Sequence, residues 1–136
     1  MLPIKHVHHI AIICSDYERS KRFYTQVLGF TIVQEVFREA RQSYKLDLAI
    51  NGLYQIELFS FPSPPPRSSH PESCGLRHLA FAVTDIDAAV NWLQSCQVIP
   101  EAIRVDECTG KRFTFFTDPD GLPLELYEAL DPLQKY

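Results

Sequence analysis

His9-Ile-Ala-Ile-Ile-Cys-Ser-Asp16 and His78-Leu-Ala-Phe-Ala-Val-Thr-Asp85 state one pattern twice: a histidine, a β-prone apolar run, and an aspartate seven residues after the histidine. Each copy has a second part further along the chain. Ile56-Glu57-Leu58 belongs to the first and Leu124-Glu125-Leu126 to the second. Glu57 follows His9 by 48 residues, and Glu125 follows His78 by 47. Two His…Glu pairs at matched spacing imply two like modules in one chain.

Working outward, residues 6–14 read as a strand. Ser15-Asp16-Tyr17-Glu18 fits an S-x-x-E capping box, which satisfies open N–H groups at a helix start. A helix to about residue 28 follows, with Gly29 where a left-handed C-cap is wanted. Residues 30–38 and 44–50 are rich in β-branched and aromatic side chains, hence strands. Asn51-Gly52 is a strong hairpin signal, and 54–61 is the returning strand carrying Glu57. The second half repeats the order. Residues 76–83 form a strand, and Thr84-Asp85 caps a helix whose Ile86, Ala89, Val90 and Leu93 share one face. Strands follow at 99–105 and 111–117, then an Asp118-Pro-Asp-Gly121 turn, and a last strand at 122–128 carries Glu125.

Each module therefore reads β-α-β-β-β, and the fold class is α+β. Residues 1–136 are expected to be one domain, with module one at about 5–61, a connection at 62–75 and module two at about 76–129. Pro62, Pro64, Pro65 and Pro66 lack an N–H, so the connection reads as a stiff, extended spacer, with a lid over the site as the alternative. Residues 131–136 read as a frayed tail.

The chain has 136 residues, so each module alone is at the size where core burial is marginal, and the two are expected to share a core. The net charge is −4, with no Lys/Arg cluster, which argues against nucleic-acid and polybasic membrane partners. No apolar run approaches the roughly 20 residues of a membrane span. The first residues lack a signal-peptide core. Cys14, Cys74, Cys96 and Cys108 form no C-x-x-C pair and read as reduced thiols of a cytoplasmic protein.

Side chains alternate across a strand. Glu57 therefore shares a face with Gln55, Phe59 and Phe61, opposite Ile56 and Leu58. Glu125 shares one with Pro123 and Tyr127, opposite Leu124 and Leu126. If the aliphatics pack under the helices, each Glu stands on the other, concave face, where burial demands a cation or a proton. His9 shares its face with Ala11, and His78 with Ala80 and Ala82, so small neighbours leave room beside each imidazole. His6 and His8 lie nearby, but position 8 aligns with Arg77, and of the three only His9 has a histidine counterpart. Imidazole and carboxylate pairs in matched registers point to a divalent metal held by His9, Glu57, His78 and Glu125. Arg38, Arg67 and the Lys111-Arg112 pair are candidates for an acidic substrate group. Phe59, Phe61, Phe113, Phe115 and Tyr127 are candidates for an apolar wall.

The repeat, the two Asp-capped helices and the Asp118-Pro-Asp-Gly-Leu-Pro-Leu-Glu125-Leu ending together resemble the vicinal oxygen chelate (glyoxalase/bleomycin resistance/dioxygenase) superfamily over about residues 5–129. The ligand pattern looks like its four-ligand branch, which includes glyoxalase I and methylmalonyl-CoA epimerase. It is less like the three-ligand dioxygenases and fosfomycin-modifying enzymes. The resemblance implies an open, curved, barrel-like sheet around Ni, Co, Zn or Mn. It also implies a substrate with two neighbouring oxygens, and a 1,2-proton shift with Glu125 or Glu57 as base. A homodimer acting on a small molecule is the family expectation. Ile13 and Phe61 stand where glyoxalase I members usually carry an Arg and an Asn, so glutathione contacts are not expected. A metal-dependent lyase or isomerase is the leading reading. An epimerase, a dioxygenase or a non-catalytic antibiotic-binding module are the alternatives.

Overall fold

The computed structural model describes residues 1–129. The expected tail at 131–136 lies outside the described residues. The chain divides into two compact units, the first spanning Met1–Pro66 and the second beginning at Arg67.

The first unit runs β1 (Ile10–Cys14), α1 (Tyr17–Arg22), β2 (Thr31–Arg38), β3 (Ser43–Ile50) and β4 (Leu53–Ser60). Its sheet has the order β1-β4-β3-β2. β1 and β4 are parallel, and the other pairs are antiparallel. The second unit repeats this with β5 (Leu79–Val83), α2 (Ile86–Ser95), β6 (Arg104–Val105), β7 (Arg112–Thr117) and β8 (Pro123–Glu128), in the order β5-β8-β7-β6. Both sheets are open, mixed and four-stranded, and the expected βαβββ order and α+β class hold in each.

Local chemistry sets most element ends. Asp85 caps α2 by accepting from the Ala88 N–H at 2.9 Å. Asp16, not Ser15, caps α1, accepting from the Arg19 N–H at 3.0 Å. The expected box is thus displaced by one residue, because a charged acceptor competes well for the first open N–H groups. The helix does not stay α-helical to residue 28: Phe23–Val27 form a π-turn, with the Leu28 N–H donating to the Phe23 carbonyl at 3.0 Å. Asn51 and Gly52 both take positive φ (50° and 78°), which is what a two-residue hairpin turn of this hand requires.

The strand expected at 99–105 shrinks to two residues. Pro100 has no N–H for a ladder, and the contact with β7 is made instead by the Glu101 N–H donating to the Phe115 carbonyl at 2.8 Å. The strands expected from residues 6 and 76 begin later, so His9 and His78 stand just ahead of β1 and β5.

Burial follows strand alternation. Ile12, Cys14, Leu46, Leu48, Ile56 and Leu58 are buried in the first unit with Tyr24 of the π-turn. Ile86, Leu93, Phe116, Leu124 and Leu126 are buried in the second. Each such side chain contributes roughly 1.5–3 kcal/mol on leaving water. The aliphatics flanking each Glu therefore do pack on the helix side, which turns Glu57 and Glu125 to the opposite face.

The four cysteines are thiols rather than disulfides. Among the described residues no helix is long and apolar enough to cross a membrane.

Candidate functional site

The parallel pairing of first and last strands positions both His–Glu pairs in one way. Ala11 of β1 stands opposite Glu57 of β4, and Ala80 of β5 stands opposite Glu125 of β8. The histidine lies two residues before the alanine in each case, on the same face. The small alanine side chain leaves the space through which imidazole and carboxylate meet. His9 Nε2 lies 3.5 Å from Glu57 Oε2, and His78 Nε2 lies 3.0 Å from Glu125 Oε2. Both carboxylates are largely covered, with side chains 13% and 12% exposed, while the histidines are 39% and 32% exposed.

The surroundings of the two pairs differ. In the first unit Lys45 Nζ reaches Glu57 Oε1 at 2.8 Å and also pairs with Asp47. The Tyr54 hydroxyl donates to the same Glu57 oxygen. Burial opposes the charge on Glu57, but these two donors outweigh it and hold the carboxyl below its usual range. Burial and the bond to Glu57 push the Tyr54 hydroxyl up to about 12. Burial works against the Lys45 charge too, yet bonds to Asp47 and Glu57 raise its pKa. His8 adds a further contact, its Nδ1 lying 2.8 Å from His9 Nδ1. That contact fixes the His9 ring and leaves Nε2 turned to Glu57.

In the second unit Glu125 has His78 as its one hydrogen-bonding or ionic neighbour among the described residues. The Phe115 ring meets the His78 ring edge-on at 5.2 Å. A cavity of about 580 Å³ opens beside His78. Its lining includes His78, Phe115, Thr117, Arg67, His70 and Arg104.

The candidate cations also separate. Arg112 is a structural clamp: it forks onto Glu128 at 2.7 and 2.8 Å and bonds Asp87 of α2 at 2.8 Å. Arg38 lies 4.7 Å over the Phe59 ring and donates to Ser43 Oγ at 2.9 Å. Arg67 lines the cavity with neighbouring residues of the connection. Of the aromatic candidates, Phe115 faces this cavity. Phe59 and Phe61 stack on each other, their centroids 6.2 Å apart, beneath Arg38.

Lys45, Asp47 and Tyr54 beside the first pair are residues that the sequence reading does not single out. The signal was present in Lys45-Leu-Asp-Leu48, where the alternation that buries Leu46 and Leu48 turns Lys45 and Asp47 to the Glu57 face. Among the described residues no three or more His, Cys, Asp or Glu side chains gather into a group that could hold a metal ion.

The model of the Glyoxalase/Bleomycin resistance protein/Dioxygenase superfamily matches residues 6–126. The chain belongs to this superfamily. The resemblance drawn from the repeated His-to-Asp runs and the Asp118–Glu125 ending is thereby confirmed at the level of the superfamily. Among superfamily members, the uncharacterized protein YaeR of Escherichia coli (strain K12) is 69% identical, over 94% of this chain and 99% of its own. The crystal structure of the glyoxalase family protein from Enterococcus faecalis is similar with a TM-score of 0.85 and 46% identity, covering 91% of this chain and 98% of that one. More distant relatives have differing names. A 2-epi-5-epi-valiolone epimerase of Actinomyces sp is 29% identical, over 88% of this chain and 77% of its own. The metallothiol transferase FosB of Staphylococcus haemolyticus is 32% identical, over 91% and 84%.

Proposed function

We propose that this protein is a divalent-metal-dependent lyase or isomerase of the glyoxalase type. It would move a proton between neighbouring carbons of a small α-oxygenated carbonyl or its thiol adduct. His9, Glu57, His78 and Glu125 are the side chains that would hold the metal, and two imidazoles with two carboxylates suit Ni, Co, Zn or Mn. The observation that carries this reading is the shared register, Ala11 opposite Glu57 and Ala80 opposite Glu125, each with a histidine two residues earlier. Glu125 adds to it, as a largely covered carboxylate whose one close polar neighbour among the described residues is an imidazole. Such a group is at home beside a cation. A bound metal supplies Lewis-acid polarisation of the substrate oxygens.

In this reading the proton is taken up by Glu125. Glu57 is the poorer base, because Lys45 and Tyr54 already bond its Oε1 and favour the ionised form. The first unit would then orient, through Lys45, Tyr54 and His8, and the second would react. Kinship with a metallothiol transferase supports a metal, and kinship with an epimerase supports proton transfer. Ile13 and Phe61, in place of the Arg and Asn expected of glutathione users, favour a substrate other than a glutathione adduct.

The same reading takes the protein as a cytoplasmic homodimer. Val33, Val36 and Phe37 of the outer strand β2 are exposed apolar side chains in support of pairing, and four thiols are in keeping with a reducing compartment.

The test is deuterium exchange. Protein supplied in turn with Ni, Co, Zn and Mn is incubated in D₂O with α-hydroxyketones and hemithioacetals. Exchange at the substrate carbon without oxygen uptake is expected. Oxygen consumption with Fe(II) would instead mark a dioxygenase. Ligand binding without exchange, unaltered in Glu57→Gln and Glu125→Gln, would mark a binding module. Failure of all four metals to bind ends the proposal.

A further inference from the structure

Three arginines, Arg67, Arg77 and Arg104, line the cavity of the second unit beside His78. Two are matched by acids of the same wall. Arg77 Nε pairs with Glu72 at 3.0 Å, and Arg104 Nη2 pairs with Glu101 at 2.9 Å. Arg67 has no carboxylate within ion-pair reach among the described residues. The wall is thus left with one positive charge in excess.

That charge is also held in place. Arg67 Nη2 donates to the Leu76 carbonyl at 2.6 Å and the Arg77 carbonyl at 3.2 Å, and Nε donates to Ser69 Oγ at 3.1 Å. Leu76 and Arg77 are the two residues just ahead of His78. The Pro-rich connection is therefore fastened to the backbone that delivers the imidazole, and the guanidinium stays at a fixed place near it. These three bonds leave Nη1 with its donors uncommitted, in the fork geometry that suits carboxylate and phosphate oxygens. Arg104 stiffens another part of the lining, its guanidinium 5.0 Å over the Phe113 ring and 5.6 Å over Phe115. At about 580 Å³ the cavity has the size of a small-molecule site.

We infer that the substrate carries an anionic group, a carboxylate or a phosphate, which Arg67 binds while the oxygenated carbons lie toward His78 and Glu125. This deepens the proposed function by naming the substrate class, and it rests on that reading. The connection is then a specificity element, and neutral α-hydroxyketones are poor ligands.

Three probes share one α-hydroxyketone and differ in charge: dihydroxyacetone phosphate, hydroxypyruvate and uncharged dihydroxyacetone. Calorimetric titration of the full chain, in EDTA and again with Mn²⁺, compares them. At least one anion is expected to bind about tenfold more tightly than dihydroxyacetone, as a charged hydrogen bond in a partly open site allows. The better anion tells phosphate from carboxylate. Arg67→Gln should remove the preference, so that on the variant the anions bind no more tightly than dihydroxyacetone. Should that variant fail to fold, raising salt tenfold on the unaltered protein gives a second reading. The preference should shrink, because the interacting charges are exposed to solvent.

Equal binding of all three, binding of none, or a preference untouched by Arg67→Gln or by salt overturns the inference. The EDTA arm separates the two claims. An anion preference without any metal binding sinks the metal reading alone. Metal binding without the preference sinks this one alone.

Discussion

Glu57 and Glu125 occupy one register in two copies of one sheet, yet their neighbours are unlike. Glu57 is tied by Lys45 and Tyr54, and its histidine partner is braced by His8. Among the described residues Glu125 meets His78 alone, and His78 lines an open cavity. Backbone pairing has been kept between the units while the side chains that tune the carboxylate have not. The comparison teaches that internal symmetry fixes where an acid stands, whereas its readiness to accept a proton is set by the two or three residues that touch it.

The largest effect that would sharpen this contrast is catalytic. At saturating metal, Glu125→Gln should lower kcat by roughly 10²–10⁴-fold, the range for loss of a general base. Glu57→Gln should mainly weaken metal binding, so that excess metal restores much of the rate. Steady-state kinetics across a metal titration reads both, and equal kcat losses at saturation would break the contrast.

Next in size is the buried packing inside each unit. Leu58 and Leu126 follow their glutamates and are both buried. Replacing either with Ala should cost about 2–5 kcal/mol in urea unfolding. A cost confined to one of them would mean that the two sheets are not equally packed.

Smaller still are the helix caps. Asp16→Ala and Asp85→Ala should each cost about 1 kcal/mol. The loss at Asp16 should be no larger than that at Asp85, since α1 is short and passes directly into a π-turn.

The smallest effect is a pH dependence peculiar to the first unit. Glu57 titrates below its ordinary 4.5 in the folded chain. Its contribution to stability is therefore complete above that ordinary value and is lost as pH falls through the lowered folded value. Tyr54→Phe removes one of the two hydrogen-bond donors responsible, so the variant should lose less stability as pH falls from neutrality into the acid range. An unchanged acid limb would leave Lys45 and His9 as the causes.

The fold was legible wherever a local rule decides it. Asn51-Gly52, Gly121 and Asp85 each act through a few neighbouring atoms, and the alternation around Glu57 and Glu125 told buried face from open face. Legibility ended where the outcome depends on pairing. The Lys45 contact with Glu57 needs the register of β3 against β4, and the Tyr54 contact within β4 needs the irregularity opposite Leu48 and Ala49, which follows from no local rule. Pro100 should have argued against a full strand at 99–105, since it withholds a ladder donor. The Ser15 box failed because Asp16 is a stronger acceptor one residue along. Arg67 was noticed as a cation, but its hold on Leu76 and Arg77 belongs to a turn no periodicity announces.

The parallel pairing of β1 with β4, and of β5 with β8, has a consequence for biosynthesis. Each imidazole emerges from the ribosome at the start of its unit, and the matching carboxylate emerges on the unit's final strand. A nascent chain thus carries the histidine of each half long before its acid, and neither pair exists until its sheet closes. Completion of each His–Glu pair is therefore tied to the pairing of the first and last strands of its own unit, so a product truncated before a unit's last strand would retain that unit's imidazole without its acid.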